Sequence, residues 1–228
     1  MMAQPKIKLV SIVKSLFNED EKISRMITEI LLTEKGQISF DEILSAAEKV
    51  EKEACAESLA IETSLIMEYW RLMLPMRIKH DGSIQWSNRL NRPKIGEKYE
   101  VPPCIALAFR HLKLTGQWEW KSAIKDYLDE IGEPNQQIIV EIIEEAIKNV
   151  QLKWFVSKAV LEKACKQHNY PKDTDVLIAE LKGGGIISPC VEYSLFSRKS
   201  FERFIKNFPS SGPIYELNKA LFVLEFKD

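Results

Sequence analysis

Three consecutive glycines mark the sharpest boundary in this chain. The run Leu177-Ile178-Ala179-Glu180-Leu181-Lys182 is helical and apolar, Gly183-Gly184-Gly185 follow, and the β-branched pair Ile186-Ile187 begins at once. A helix that stops this abruptly and feeds a strand needs a left-handed C-cap, and the chain must turn back across its own core within about three residues. A phosphate-binding loop would also use clustered glycines. It requires a strand before them, a helix after them and a Lys-Ser/Thr step at fixed spacing. Here the order is inverted, which argues against phosphate binding.

Upstream, the pattern is mostly helical. Ile7, Val10, Ile12-Val13 and Leu16-Phe17 recur at nearly helical spacing. Asn18-Glu19-Asp20 supply a cap for a second helix with the stripe Ile23, Met26, Ile27, Ile30, Leu31, which Gly36 is expected to end. Ser39 and Glu42 stand at capping-box spacing before a third helix, and a fourth is predicted from about Glu57 to Leu74, stopping at Pro75. Asp81-Gly82 separates two short alternating segments, Met76/Ile78 and Ile84/Trp86, a strong hairpin signal. Residues 88–103 contain three prolines and read as a linker or extended arm. Helices are expected over 104–114, 118–131 and 135–149. The last unit is a helix from Ser157, a second helix over 172–185, a strand at Ile186–Cys190, a short helix near 200–207, and a returning strand over 213–226.

The two ends thus share one order: helix, connector, helix, sharp stop, two-stranded β element. The closing strands are taken as Ile84-Gln85-Trp86-Ser87-Asn88 and Ile214-Tyr215-Glu216-Leu217-Asn218. Residues 37–88 and 157–218 carry a resemblance to the winged-helix family, in which the second helix of a helix-turn-helix runs directly into a β-hairpin, the wing. The resemblance implies a mostly α fold with small β-hairpins (α+β): tandem winged-helix-like units at 1–88 and 151–228, joined by an arm at 89–103 and a helical middle segment at 104–150. It also implies two kinds of partner, DNA or another protein.

Charge chooses between them. The formal net charge is -1, so a polyanion could be held only by local patches. Two such patches exist. Arg77, Lys79, Arg89, Arg92, Lys94 and Lys98 outnumber Asp81 and Glu97, and Arg198, Lys199, Arg203 and Lys206 surround Glu202. Both lie on or beside the expected wings and arm, where phosphate contacts would fall. Arg77, Lys79, Arg89, Arg92, Lys94, Arg198, Lys199, Arg203 and Lys206 are therefore the expected nucleic-acid contacts. The helices leading into the wings are acidic, with Glu57, Glu62 and Glu68 in one and Asp173, Asp175 and Glu180 in the other. That disfavours base reading by either helix and keeps a protein–protein adaptor as the alternative.

Other chemistries find little purchase. There is no hydrolase, zincin or dinucleotide motif, and the carboxylates fall in runs that read as solvated helix faces, so no enzyme activity, cofactor or metal is expected. Cys165, His168 and Cys190 could suggest a metal- or redox-responsive site, but Cys165 shares an apolar stripe with Val160, Leu161 and Ala164 and is better explained as a buried thiol. The five tryptophans are expected to pack within or between units. No apolar run reaches the ~18–20 residues of a membrane span, and the lysine-dotted N-terminus reads as an amphipathic helix rather than a signal peptide, so a cytoplasmic location with reduced cysteines is the expectation.

Overall fold

A computed structural model describes residues 4–51, 53–76, 79–80, 83–84, 92–150, 154–189 and 212–226, with the backbone alone at 53–54, 79–80 and 83–84. The described chain is mostly helical with small antiparallel sheets, an α+β arrangement. No helix among the described residues is long and apolar enough to cross a membrane.

The first unit contains α1 (Lys6–Phe17), α2 (Glu21–Leu32), β1 (Gln37–Ser39), α3 (Phe40–Glu48), α4 (Glu53–Trp70), β2 (Leu74–Pro75) and β5 (Lys98–Glu100), with β3 (Lys79–His80) and β4 (Ser83–Ile84) paired between β2 and β5. The middle segment supplies α5 (Pro103–Thr115), α6 (Trp120–Glu130) and α7 (Gln136–Lys148). The second unit adds β6 (Phe155–Ser157), α8 (Lys158–Gln167), α9 (Thr174–Gly183), β7 (Ile187–Pro189) and β8 (Ile214–Leu217). Local sequence explains the helix starts. The Asp20 carboxylate accepts from the Ile23 N–H at 2.9 Å. Ser39 and Glu42 close the expected capping box, and Ser157 accepts from the Val160 N–H.

The two units are the same fold written twice. α2-β1-α3-α4-β2-β5 and α7-β6-α8-α9-β7-β8 have the same element order, and in each sheet the last strand lies in the middle: β1-β5-β2 and β6-β8-β7. Register matches too. Tyr99 pairs with Ile38 and Pro75, and Tyr215 pairs with Val156 and Pro189. The inner faces follow suit, since Ile43 and Ala47 stand four and eight residues beyond Ser39 as Leu161 and Cys165 stand beyond Ser157, and all four are buried.

Several sequence expectations need correction. The counterpart of Ile214–Leu217 is Lys98–Glu100, not 84–88. The span 89–103, read as an arm, therefore contains the central strand of the first sheet. Three prolines and a glycine masked it, and β1, its partner, is too short to show periodicity. The fourth helix runs Glu53–Trp70 rather than from Glu57 to Leu74. It stops because Arg71 turns left-handed, at φ 66°, and the Leu72 N–H reaches back to the Met67 carbonyl at 2.9 Å. The second helix ends at Leu32, ahead of Gly36. The final strand ends at Leu217, and the chain then coils through residues 219–226. The short helix expected near 200–207 lies outside the described residues.

Only one of the three glycines does what the sequence suggests. Gly185 takes the left-handed turn, at φ 68°. Gly183 and Gly184 are required for close approach instead. A Cβ on Gly183 would lie 2.6 Å from the Tyr127 hydroxyl, and one on Gly184 would lie 2.7 Å from the Tyr127 ring and 3.1 Å from the Cys104 Sγ. The end of α9 thus beds directly against α5 and α6, and the Tyr127 hydroxyl donates to the Glu180 carbonyl at 3.2 Å. Burial pushes the Cys104 thiol well above its ordinary range and Tyr127 up to about 12, so both stay neutral in this contact.

Candidate nucleic-acid interface

The expected basic residues fall in topologically equivalent places. Residues 76–97 connect β2 to β5, and residues 190–213 connect β7 to β8, so each basic run lies between the second strand and the central strand of its own sheet. Among the expected contacts, Arg92 and Lys94 are described with side chains, both exposed. They precede and open a short turn over residues 94–97 that exposes Ile95, and Lys98, the first residue of β5, is exposed just after it. The turn is pinned to the unit: the Lys94 N–H donates to the Glu97 carboxylate at 3.2 Å, and the Gly96 N–H donates to Asp41 at 3.0 Å. Arg92 Nη2 donates to Glu57 at 3.0 Å, with the two side chains 73% and 66% exposed. A pair so open to water is screened and holds Arg92 only weakly. Lys79 is placed by its backbone, which pairs with Ile84 across the expected Asp81-Gly82 turn. Arg77, Arg89, Arg198, Lys199, Arg203 and Lys206 lie outside the described residues, as does Trp86.

Elsewhere part of the positive charge is paired with neighbours, while Lys14, Arg25, Lys49, Lys163 and Lys166 are among the described cations that make no ion pair. Lys35 pairs with Glu42, Lys22 with Glu51, Lys121 with Glu144, Lys113 with Glu34 at 2.5 Å, and Lys158 with Asp175 at 2.6 Å. The helices leading into the sheets carry no basic face. α4 contains neither Lys nor Arg and exposes Cys55, Glu57, Ser58, Glu62 and Tyr69, while α9 exposes Asp175, Val176 and Ala179. Phosphates approaching either helix would meet carboxylates.

What joins the two units was not visible in the sequence. Arg71 and Gly185 are equivalent residues, each left-handed, each just beyond a helix. Leu72 and Ile186, which follow them, close the same N–H bond to a carbonyl five residues back, at Met67 and Leu181. The side-chain amide of Asn218, fully buried, donates to the carbonyls of both: 3.2 Å to Arg71 and 2.9 Å to Gly185. Its oxygen accepts from the N–H groups of Ala220 and Leu221 at 3.0 and 3.1 Å. One asparagine therefore ties together the helix-to-strand turns of both units.

Around it, Arg71 reaches Glu216 at 3.2 Å, both side chains being almost wholly buried, and Lys219 approaches Glu216 at 3.4 Å. Burial lowers the Lys219 pKa, which the Glu216 carboxylate only partly restores. Trp118 donates to the Ala220 carbonyl at 3.0 Å, and Trp120 stacks edgewise on Phe222 at 5.1 Å. Phe17 meets both Trp70 and Trp118, so the described tryptophans pack within and between units as expected. The repeated Tyr-Glu of the central strands was a usable signal for this pairing. Nothing local announced Asn218.

Among the described residues no cluster of metal-ligating side chains is gathered. Cys165 is buried on α8, where burial raises its thiol, and His168 pairs with Glu141 of α7 at 3.3 Å. Cys190 lies outside the described residues.

No curated protein and no solved structure matches the chain. One family model does, and its match starts inside α1 and continues past the last described residue, taking in both units and everything that joins them. The chain belongs to the family whose model spans residues 8–227.

Proposed function

We propose that this protein is a non-enzymatic nucleic-acid binder, built from two winged-helix-like units, that grips phosphates through the basic connections between the second and central strands. The supporting observation is topological. Both basic runs occupy the same place in two units that share one element order. In a winged helix that place is the wing. Pro75 and Pro189 each stand four residues from a carbonyl held by Asn218, so they lie within about 35 Å of one another, no more than about one turn of B-DNA. Both wings can then reach one duplex. With acidic helices behind them, contact would be to backbone rather than base edges, and binding would be indifferent to sequence.

Fluorescence anisotropy with a labelled duplex tests this. Wild-type protein should bind at low salt. Reversing Arg89, Arg92 and Lys94 to Glu should abolish binding, and reversing Arg198 and Lys199 should weaken it. Failure of the wild type to bind duplex or single strands at low salt would overturn the reading.

The cation-free α4 favours a second reading, an adaptor that uses the same fold to hold a protein. Its exposed Tyr69, beside the Lys219 ammonium 4.5 Å away, would serve such a contact. Stoichiometric co-purification with a protein, surviving nuclease treatment, would support it.

A further inference from the structure

α1, α2 and α3 of the first unit share one face. Two adjoining recesses open on it, of about 470 and 320 Å³. The first lies between α1 and α2, lined by Ile7, Val10, Lys14 and Glu21; the second has Ile30, Ile38, Ala46 and Val50 as its floor and Lys49 on its rim. They share Lys6 and Arg25, so together they form one elongated groove rather than a single compact cavity. Ile7 at its mouth is 84% exposed, the most exposed large apolar side chain among the described residues.

The rim charges are not balanced. Lys6 is held by Glu29, and Glu42 is held by Lys35. Among the described residues Lys14, Arg25 and Lys49 make no ion pair, against one such carboxylate, Glu21. α1 itself carries Lys6, Lys8 and Lys14 and no acidic residue. An elongated apolar floor suits a row of side chains at i, i+3/i+4 and i+7, and a cationic rim suits carboxylates flanking that row.

We propose that this groove docks an acidic amphipathic helix of a partner protein. Leucine-like side chains would fill the two recesses against Ile7, Val10, Ile30 and Val50. Carboxylates on the helix flanks would face Lys14, Arg25 and Lys49. The proposal does not depend on nucleic-acid binding, since no described residue of either basic connection lines the groove.

The test uses the full chain and two designed helical peptides of about 16 residues. Both carry leucines along one face; one has glutamates on its flanks, the other lysines. By fluorescence anisotropy the acidic peptide should bind, and binding should weaken as salt rises. Arg25→Glu should lower its affinity by at least about tenfold, and Ile7→Asp should do the same. Both positions are exposed, so circular dichroism of each variant should match wild type. The wing reversal of Arg89, Arg92 and Lys94 should leave peptide affinity unchanged. Equal binding of the two peptides, no binding of the acidic one, or indifference to Arg25→Glu would overturn the proposal. So would a solution dimer that Ile7→Asp converts to monomer, because that would assign the groove to a second copy of this chain.

Discussion

Replacing Asn218 by alanine should loosen the whole molecule from one position. The amide holds the Arg71 and Gly185 carbonyls and accepts from the Ala220 and Leu221 N–H groups. Ala220 keeps a second partner, the Trp70 carbonyl at 2.9 Å. The substitution therefore removes the side-chain partner of two buried carbonyls and one N–H. A buried polar group left without a partner costs about 1–3 kcal/mol, and partial relaxation keeps the sum toward the lower end, so the expected loss is about 4 kcal/mol. For a chain of this size that is a fall in Tm of roughly 10–15 °C. Urea denaturation followed by tryptophan fluorescence reads it directly, because Trp70, Trp118 and Trp120 surround the joint. The midpoint should drop with the slope unchanged if the two units still unfold together. Asn218→Asp keeps the acceptor but loses both donors, and should lie nearer alanine than wild type. A loss below about 1 kcal/mol for the alanine variant would refute the view that this side chain joins the units.

Three further outcomes follow from local geometry. Gly184→Ala should destabilise by about 1–3 kcal/mol through collision with Tyr127, and Tyr127→Ala in the same chain should make the added cost of the alanine smaller, whereas Gly185→Ala, which faces Pro102 at a positive φ, should gain no such relief; a double-mutant cycle in urea checks both. Ser39→Ala should cost about 1 kcal/mol at neutral pH by opening the capping box of α3, read from the same denaturation curves. Burial pushes the Glu133 carboxyl up, but hydrogen bonds from Lys172 and Asn135 outweigh it and bring it down to about 2 from the ordinary 4.5. Its stabilising contribution is full above pH 4.5 and lost as pH falls toward 2, so Glu133→Gln should flatten the acid limb of a stability–pH profile across that window. An unchanged limb would contradict the assignment.

How much of this could be read from the residues depends on distance along the chain. The capping box at Ser39/Glu42, the stripe on α2 and the hairpin flanks around Asp81-Gly82 are local patterns, and they were legible. The sheets were not. β1 and β6 are three residues long, with one buried apolar side chain each on the inner side at Ile38 and Val156, so they carry no period. Their partners lie about sixty residues away, at Tyr99 and Tyr215. The glycine run was read as a turn, when two of its three members answer to an aromatic ring from another part of the chain. Arg71 was legible only as the one cation near the end of an acidic helix, because its left-handed backbone and its buried partner Glu216 are products of the tertiary fold. The candidate contacts Arg92 and Lys94 were legible as charge, but their anchoring through Asp41, Glu57 and Glu97 was not.

Phosphate contact by the two basic connections is tested most directly by the salt dependence of duplex affinity. Each phosphate neutralised contributes about 0.9 to the slope of log affinity against log salt. Wild-type protein should show a steep slope, and replacing Arg89, Arg92 and Lys94 by alanine should lower it by roughly one for each contact removed. A duplex that does not bind at low salt, or a slope that the three replacements leave unchanged, would contradict the account.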